Sequence, residues 1–200
     1  MAQTVIKLAR KRRSHRKFKP EPVSMDAVLN VLDTAHYAPS GANEQPWRFI
    51  IVDDPETKKR VRQSSEKGER EMYEKVSGEF KKWLTQQGLS PDKPFLEEAP
   101  VLIVVLMKSD AKYARESVWT AVGYMLLALE ELGLGTVPYT PSNTGYPHEA
   151  LGAPEEYRLE VILLVGVPDQ DSKRTSRTSQ NRWSITINGE TNTQVHRKHG

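Results

Sequence analysis

Four short stretches of the chain carry side chains whose types and spacing could do chemistry. The first, Arg12-Arg13-Ser14-His15-Arg16-Lys17-Phe18, places three guanidiniums and a hydroxyl within five residues. A guanidinium presents a planar fork of donors that matches the oxygens of a phosphate. The second is Ala38-Pro39-Ser40-Gly41-Ala42-Asn43-Glu44-Gln45-Pro46-Trp47. Its small residues let backbone approach a flat ligand, while Ser40, Asn43 and Gln45 provide polar anchors. The third, Gly133 to Pro141, lacks a dinucleotide fingerprint and a phosphate-loop lysine, but Pro141 fixes the place of the Thr140 hydroxyl. The fourth sets Glu69 and Tyr73 four residues apart, on one face of a helix, with Lys93 about one helix later. A carboxylate, a phenol and an ammonium suit a zwitterion. Glu69 would hold an α-ammonium, Lys93 an α-carboxylate, and Tyr73 would donate a further hydrogen bond. Each stretch also has a plainer reading: a basic tail or nucleic-acid patch, a connecting loop, a turn, and surface residues of a charged helix pair.

The elements that must position these residues follow from periodicity and punctuation. A helix from Ala2 to about Arg10 runs into the basic cluster. Ser24 is placed to cap a second helix whose apolar face is traced by Val28, Leu29, Val31, Leu32, Ala35 and His36. Trp47 to Val52 reads as a buried strand, and Asp54-Pro55 as the start of a helix. Residues 62–98 are dense in Lys, Glu, Arg and Gln, and read as a helical lid without enough apolar burial to hold one conformation until a ligand orders it. Val101 to Met107 is a second buried strand and Glu116 to Leu132 a central helix with a nearly continuous apolar surface. Thr136 to Thr140, Val161 to Val167 and Trp183 to Ile187 complete the strands. The pattern predicts an α+β fold, a mixed central sheet flanked by helices, in one domain over residues 1–190 with a flexible tail at 191–200.

Composition narrows the function. The 200 residues contain no cysteine, which excludes a disulfide scaffold, a thiolate metal site and a thiol nucleophile. The five histidines, His15, His36, His148, His196 and His199, show no metal-ligand spacing, so no metal is expected. Eight of the 29 basic residues fall within residues 7–19 beside no acid, leaving 21 bases against 26 acids elsewhere. Charge this focal suits a single anionic group better than a nucleic-acid face. The longest apolar run is far shorter than the ~20 residues of a membrane helix, and no apolar signal region opens the chain. A soluble, cytoplasmic protein is the expectation.

The first three stretches, in this order and at these separations, resemble the FMN-dependent nitroreductase superfamily from about residue 8 to 185. The resemblance implies a domain-swapped homodimer with two FMN sites at the subunit interface. Phosphate and ribityl contacts would fall on Arg12, Arg13, Ser14, His15 and Arg16. Ser40 and Gly41 would lie against the ring system, and Pro138, Tyr139 and Thr140 at its far edge. Arg174 or Arg177 would add a second phosphate contact. Within the superfamily, Glu-x-x-x-Tyr followed by Lys-Pro-Phe-Leu-Glu-x-Ala-Pro resembles the iodotyrosine deiodinase branch. That branch holds halotyrosine over the flavin with such a triad on a lid, which implies reductive dehalogenation. Ala42 matches the residue whose backbone N–H meets the substrate phenolate, and Thr140 the hydroxyl that bonds flavin N5. Electrons would come from NAD(P)H, directly or through a reductase. No counterpart of the membrane anchor of the animal enzymes is expected. The other reading is a permissive NAD(P)H-dependent nitroreductase or quinone reductase, whose lid needs no Glu–Tyr–Lys set.

Overall fold

The seven apolar residues from Val101 to Met107 form the middle of a sheet that is covered on both faces. The computed structural model describes residues 4–145, 150–169, 185–187 and 190–192. Strands β1 (Trp47–Val52), β2 (Val101–Lys108), β3 (Gly135–Tyr139) and β4 (Tyr157–Gly166) make a four-stranded sheet in the order β1-β2-β4-β3. All three ladders are antiparallel, where a mixed sheet is expected from the sequence. The only parallel pairing among the described residues is a lone bridge between Ser14 and Thr136. Strands β5 (Ile185–Ile187) and β6 (Glu190–Asn192) pair in a separate two-stranded ladder.

Alternate side chains of a strand point to opposite faces, so β2 serves two cores. Val101, Ile103, Val105 and Met107 join Val161, Leu163 and Val165 beneath helices α2 (Met25–His36) and α6 (Ala114–Glu131). Leu102, Val104 and Leu106 join Ile162 and Leu164 on the other face. There they meet Val61 of α3 (Pro55–Lys75), Leu96 of α5 (Phe95–Glu98) and Ala99. A bulge between Val105 and Leu106 shifts the β2–β4 register at Glu160. That carboxylate accepts from Arg115 Nε at 2.7 Å and Trp119 Nε1 at 2.6 Å.

The helix signals act mostly as the sequence suggests. Asp54 caps α3 by accepting from Thr57 N at 2.7 Å, with Pro55 in the first turn. Helix α2 starts at Met25, but the Ser24 side chain makes no capping bond. Its buried stripe is Val28, Val31 and Ala35; Leu29 is 51% exposed and His36 is exposed, so the apolar face is narrower than the periodicity suggests. Helix α1 (Val5–Lys11) is tied to α6 by Lys11–Glu130 at 3.0 Å. The 62–98 region is helical: most of α3, then α4 (Gly78–Gln86) and α5. No helix among the described residues is long and apolar enough to cross a membrane.

Candidate active site

The basic stretch leaves α1 and lies along the sheet margin. His15 N donates to Thr136 O at 3.0 Å, and Lys19 N to Val167 O at 2.9 Å. This contact needs Gly135, because a Cβ there would come within 2.8 Å of Pro168 Cγ and 3.1 Å of His15 Cβ. Arg12, Arg13, Ser14 and His15 are half-buried and Arg16 is exposed. Lys11 and Lys19 spend their charges on Glu130 and Glu21, but Arg12 and Arg16 have no acid at ion-pair distance among the described residues. Nearby, the buried Thr136 hydroxyl has no hydrogen-bond partner. Uncompensated guanidiniums beside hydroxyls fit a phosphate. From Thr136 to Tyr139 the strand advances about 10 Å, at ~3.3 Å per residue, and the exposed Thr140 follows directly, so the phosphate-type donors and Thr140 lie toward opposite ends of β3.

The 40–45 loop is backbone held in an uncommon shape. Ala42, Asn43 and Gln45 have φ of 51°, 56° and 46°, in the left-handed region that non-glycine residues avoid. Its amides are nearly all used. Gly41 N donates to Ser117 Oγ at 3.0 Å, Asn43 N to Ser40 O at 3.0 Å, and Gln45 N to Ser40 Oγ at 3.0 Å. Glu44 N donates to Gly41 O at 3.1 Å. The Ala42 N–H has no partner among the described residues, and Ala42 is exposed. The loop therefore presents the Ala42 N–H from backbone fixed on either side, at Gly41 and Asn43. Gly41 is required, since a Cβ would lie 2.9 Å from the Tyr113 side chain.

The lid residues converge. Glu69 is 5% exposed and Lys93 7%, with Lys93 Nζ 3.4 Å from Glu69 Oε2 and 5.8 Å from the centre of the Tyr73 ring. Lys93 Nζ also donates to the Ser90 carbonyl. The other Glu69 oxygen, Oε1, accepts from Tyr139 OH at 3.0 Å, Ser142 N at 3.1 Å and Ser142 Oγ at 3.0 Å. So the clamp carboxylate is anchored to the end of β3 by one oxygen and faces the clamp cation with the other. Burial, and then the Glu69 charge, push the Tyr73 phenol above its ordinary value, which keeps it a donor.

Tyr139 thus enters as the residue that fastens Glu69 to the strand that carries Pro138 and leads into Thr140. Ser142, Ser117 and Glu66 are absent from the sequence-based site. Only Glu66, three residues before Glu69 on the same helix, had a spacing that could have drawn notice. No hydrogen bond or ion pair joins the 40–45 loop to Glu69, Tyr73 or Lys93 among the described residues. Arg174 and Arg177 lie outside the described residues.

An antiparallel sheet between helices, with a cationic strip along β3 and an ion pair anchored at its end, is an α+β fold with a place for an anion and for a zwitterion. The chain belongs to the nitroreductase family, whose model matches residues 9–167. Its similarity is more particular than that. An iodotyrosine deiodinase of Thermotoga neapolitana is 48% identical over 170 residues, covering 85% of this chain and 91% of the relative. An iodotyrosine deiodinase of Haliscomenobacter hydrossis is 38% identical over 168 residues, covering 78% and 76%. The crystal structure of an oxidised iodotyrosine deiodinase bound to FMN and 3-iodo-L-tyrosine matches with a TM-score of 0.83 and 46% identity, covering 88% of this chain and 96% of that one.

Proposed function

We propose that this chain is an FMN-dependent reductive dehalogenase of halotyrosines. The carrying observation is the assembled clamp, in which Glu69, Tyr73 and Lys93 meet at the end of β3. A permissive nitroreductase or quinone reductase has no work for three such groups. The relative bound to FMN and 3-iodo-L-tyrosine supports the same reading.

Arg12, Arg13, Ser14, His15 and Arg16 would hold the FMN phosphate and ribityl chain, with Arg174 or Arg177 as a further phosphate contact. Ser40 and Gly41 would meet the ring, and Pro138, Tyr139 and Thr140 its far edge, with the Thr140 hydroxyl at N5. When bound, the flavin supplies the electron transfer that no side chain here could perform. The chain's own residues orient and enclose the substrate. Its α-ammonium goes to Glu69, its α-carboxylate to Lys93, and Tyr73 donates a further hydrogen bond. The zwitterion thereby replaces the Lys93–Glu69 pair with two pairs of the same charges. The Ala42 N–H donates to the phenolate, and closure of residues 62–98 excludes water.

A homodimer completes the arrangement by bringing the 40–45 loop of one protomer to the lid and strand of its partner. The apolar residues left exposed on α1, α2 and α6, among them Val5, Ile6, Leu29 and Tyr124, support such an interface. The domain over residues 1–190, a cytoplasmic setting and NAD(P)H as donor, directly or through a reductase, belong to the same reading.

The test titrates flavin fluorescence of the holoenzyme with 3-iodotyrosine and with 2-iodophenol. Lys93→Ala is expected to weaken iodotyrosine binding roughly 10- to 100-fold, the worth of a charge-assisted hydrogen bond, and to leave iodophenol nearly unchanged. Equal losses for both ligands would defeat the clamp.

A further inference from the structure

Glu66 is a buried carboxylate that the proposed chemistry does not use. It is 6% exposed and lies on α3 one turn before Glu69. Its Oε1 accepts from Lys93 N at 2.7 Å and from Arg62 Nε at 2.7 Å, while Oε2 accepts from Arg70 NH2 at 3.1 Å. Arg70 NH2 in turn donates to Asp92 Oδ1 at 3.0 Å. Two consecutive residues of the loop before α5, Asp92 and Lys93, are therefore tied to the same turn of the lid helix.

The consequence falls on the clamp. Glu69 is fixed by its place in α3 and by its bonds to Tyr139 and Ser142. Lys93 sits in a loop, where no regular hydrogen-bond ladder fixes it, and its side chain is long and flexible. Recognition of an α-amino acid needs a cation and an anion at one separation, that between its own carboxylate and ammonium. From the geometry we infer that Glu66 is a positioning residue: it holds the Lys93 main chain against α3 and so sets the gap between Lys93 Nζ and Glu69. It acts on the amino-acid end of the ligand alone, because it holds Lys93 and makes no hydrogen bond to the 40–45 loop among the described residues. This inference rests on the halotyrosine reading and deepens it.

Glutamine at position 66 keeps the size of the side chain but replaces one acceptor oxygen with an N–H₂ group. Whichever way that amide turns, the charge that Arg62, Arg70 and the Lys93 N–H share is lost, and an N–H₂ group faces either Arg70 or the Arg62–Lys93 pair of donors. The experiment uses flavin-loaded Glu66→Gln, Arg70→Ala and Lys93→Ala, each titrated with 3-iodotyrosine and 2-iodophenol by flavin fluorescence. Glu66→Gln is expected to raise the iodotyrosine dissociation constant by roughly 10-fold and the iodophenol constant by less than about twofold. Arg70→Ala, which keeps the Glu66–Lys93 bond and frees Asp92, should move the same ratio by about two- to threefold and serves if Glu66→Gln does not fold. Amide hydrogen exchange at Lys93 should quicken in both variants while β2 stays protected.

A normal iodotyrosine constant in Glu66→Gln, beside a weakened one in Lys93→Ala, overturns the positioning role and leaves the clamp standing. Equal losses for the two ligands in Glu66→Gln assign the residue to general lid stability and also overturn it. A Lys93→Ala ratio equal to the wild-type ratio removes the halotyrosine reading and this inference with it.

Discussion

The sheet and the lid are held together by different physics. In β2, the seven residues from Val101 to Met107 are all 3% exposed or less, and both faces bury hydrocarbon. In α3, the buried positions are Lys58, Val61, Ser65, Glu66, Gly68 and Glu69. Lys58 donates to Ala99 O at 2.9 Å, Glu66 receives the Lys93 amide, and Glu69 receives Tyr139 and Ser142. Apolar burial is non-directional and indifferent to protonation. Charged bonds in a partly buried site are directional, and each partner is replaceable by another of the same charge. A lid built this way has an internal ion pair that the proposed zwitterion would replace. A lid built like the sheet would have no such exchange to make.

The largest effect that should separate the two regions comes from the core. Leu163 is wholly buried beneath α2 and α6. Leu163→Ala is expected to cost about 2–5 kcal/mol of stability, from lost transfer energy and the cavity left behind. Its thermal midpoint should fall by several degrees, while the ratio of iodotyrosine to iodophenol affinity in folded protein stays as in wild type. A changed ratio would mean that core packing and clamp geometry are one system.

Acid should separate them next. Burial pushes Glu66 up, but hydrogen bonds from Arg62, the Lys93 amide and Arg70 outweigh it and hold the group below its ordinary 4.5. Asp54, which caps α3, is likewise lowered by its bonds from Thr57. A lowered folded value means stability that is present above the unfolded value and lost as pH falls through the folded one. As pH falls below those ordinary values, 4.5 for Glu66 and 3.8 for Asp54, the lid should therefore loosen first. Hydrogen-exchange protection of α3 and of the Lys93 amide is expected to drop over that range while β2 and β4 keep theirs. Loss of protection in lid and sheet at the same pH would erase the distinction.

The same contrast governs what could be read from the sequence. Strand β1 is legible to the residue because aromatic and β-branched side chains, interrupted only by Arg48, fill the stretch between Pro46 and the Asp53-Asp54-Pro55 breaker. The β2 run announces a doubly covered strand for the same reason. Strand direction is not a local property: β1 meets β2 only after the whole lid has intervened, and nothing in either strand marks the pairing as antiparallel. In the site, Glu69 and Tyr73 share a helical face that spacing reveals. Their outer supports are separated by 27 residues for Glu66 and Lys93, and by 73 for Glu69 and Ser142. The basic strip docks on β3 through main-chain groups, which leave no side-chain signature. Left-handed backbone is unremarkable at Asn43 but carries no sequence signal at Ala42 or Gln45, so the presentation of the Ala42 N–H emerges only from the fold.

The smallest predicted effect tests the far end of the site. Ser117, buried on α6, accepts from Gly41 N at 3.0 Å and donates to Tyr113 O at 2.7 Å, pinning the loop next to Ala42. Ser117→Ala removes a neutral hydrogen bond worth about 1 kcal/mol, equivalent to roughly fivefold in affinity. Because the Ala42 N–H is proposed to address the phenolate, which both probes possess, 3-iodotyrosine and 2-iodophenol should weaken by the same factor. Lys93 and Glu66 substitutions change the ratio of the two constants, whereas Ser117→Ala should change their common scale. A ratio that shifts in Ser117→Ala would show that the 40–45 loop and the lid do not recognise opposite ends of the ligand independently.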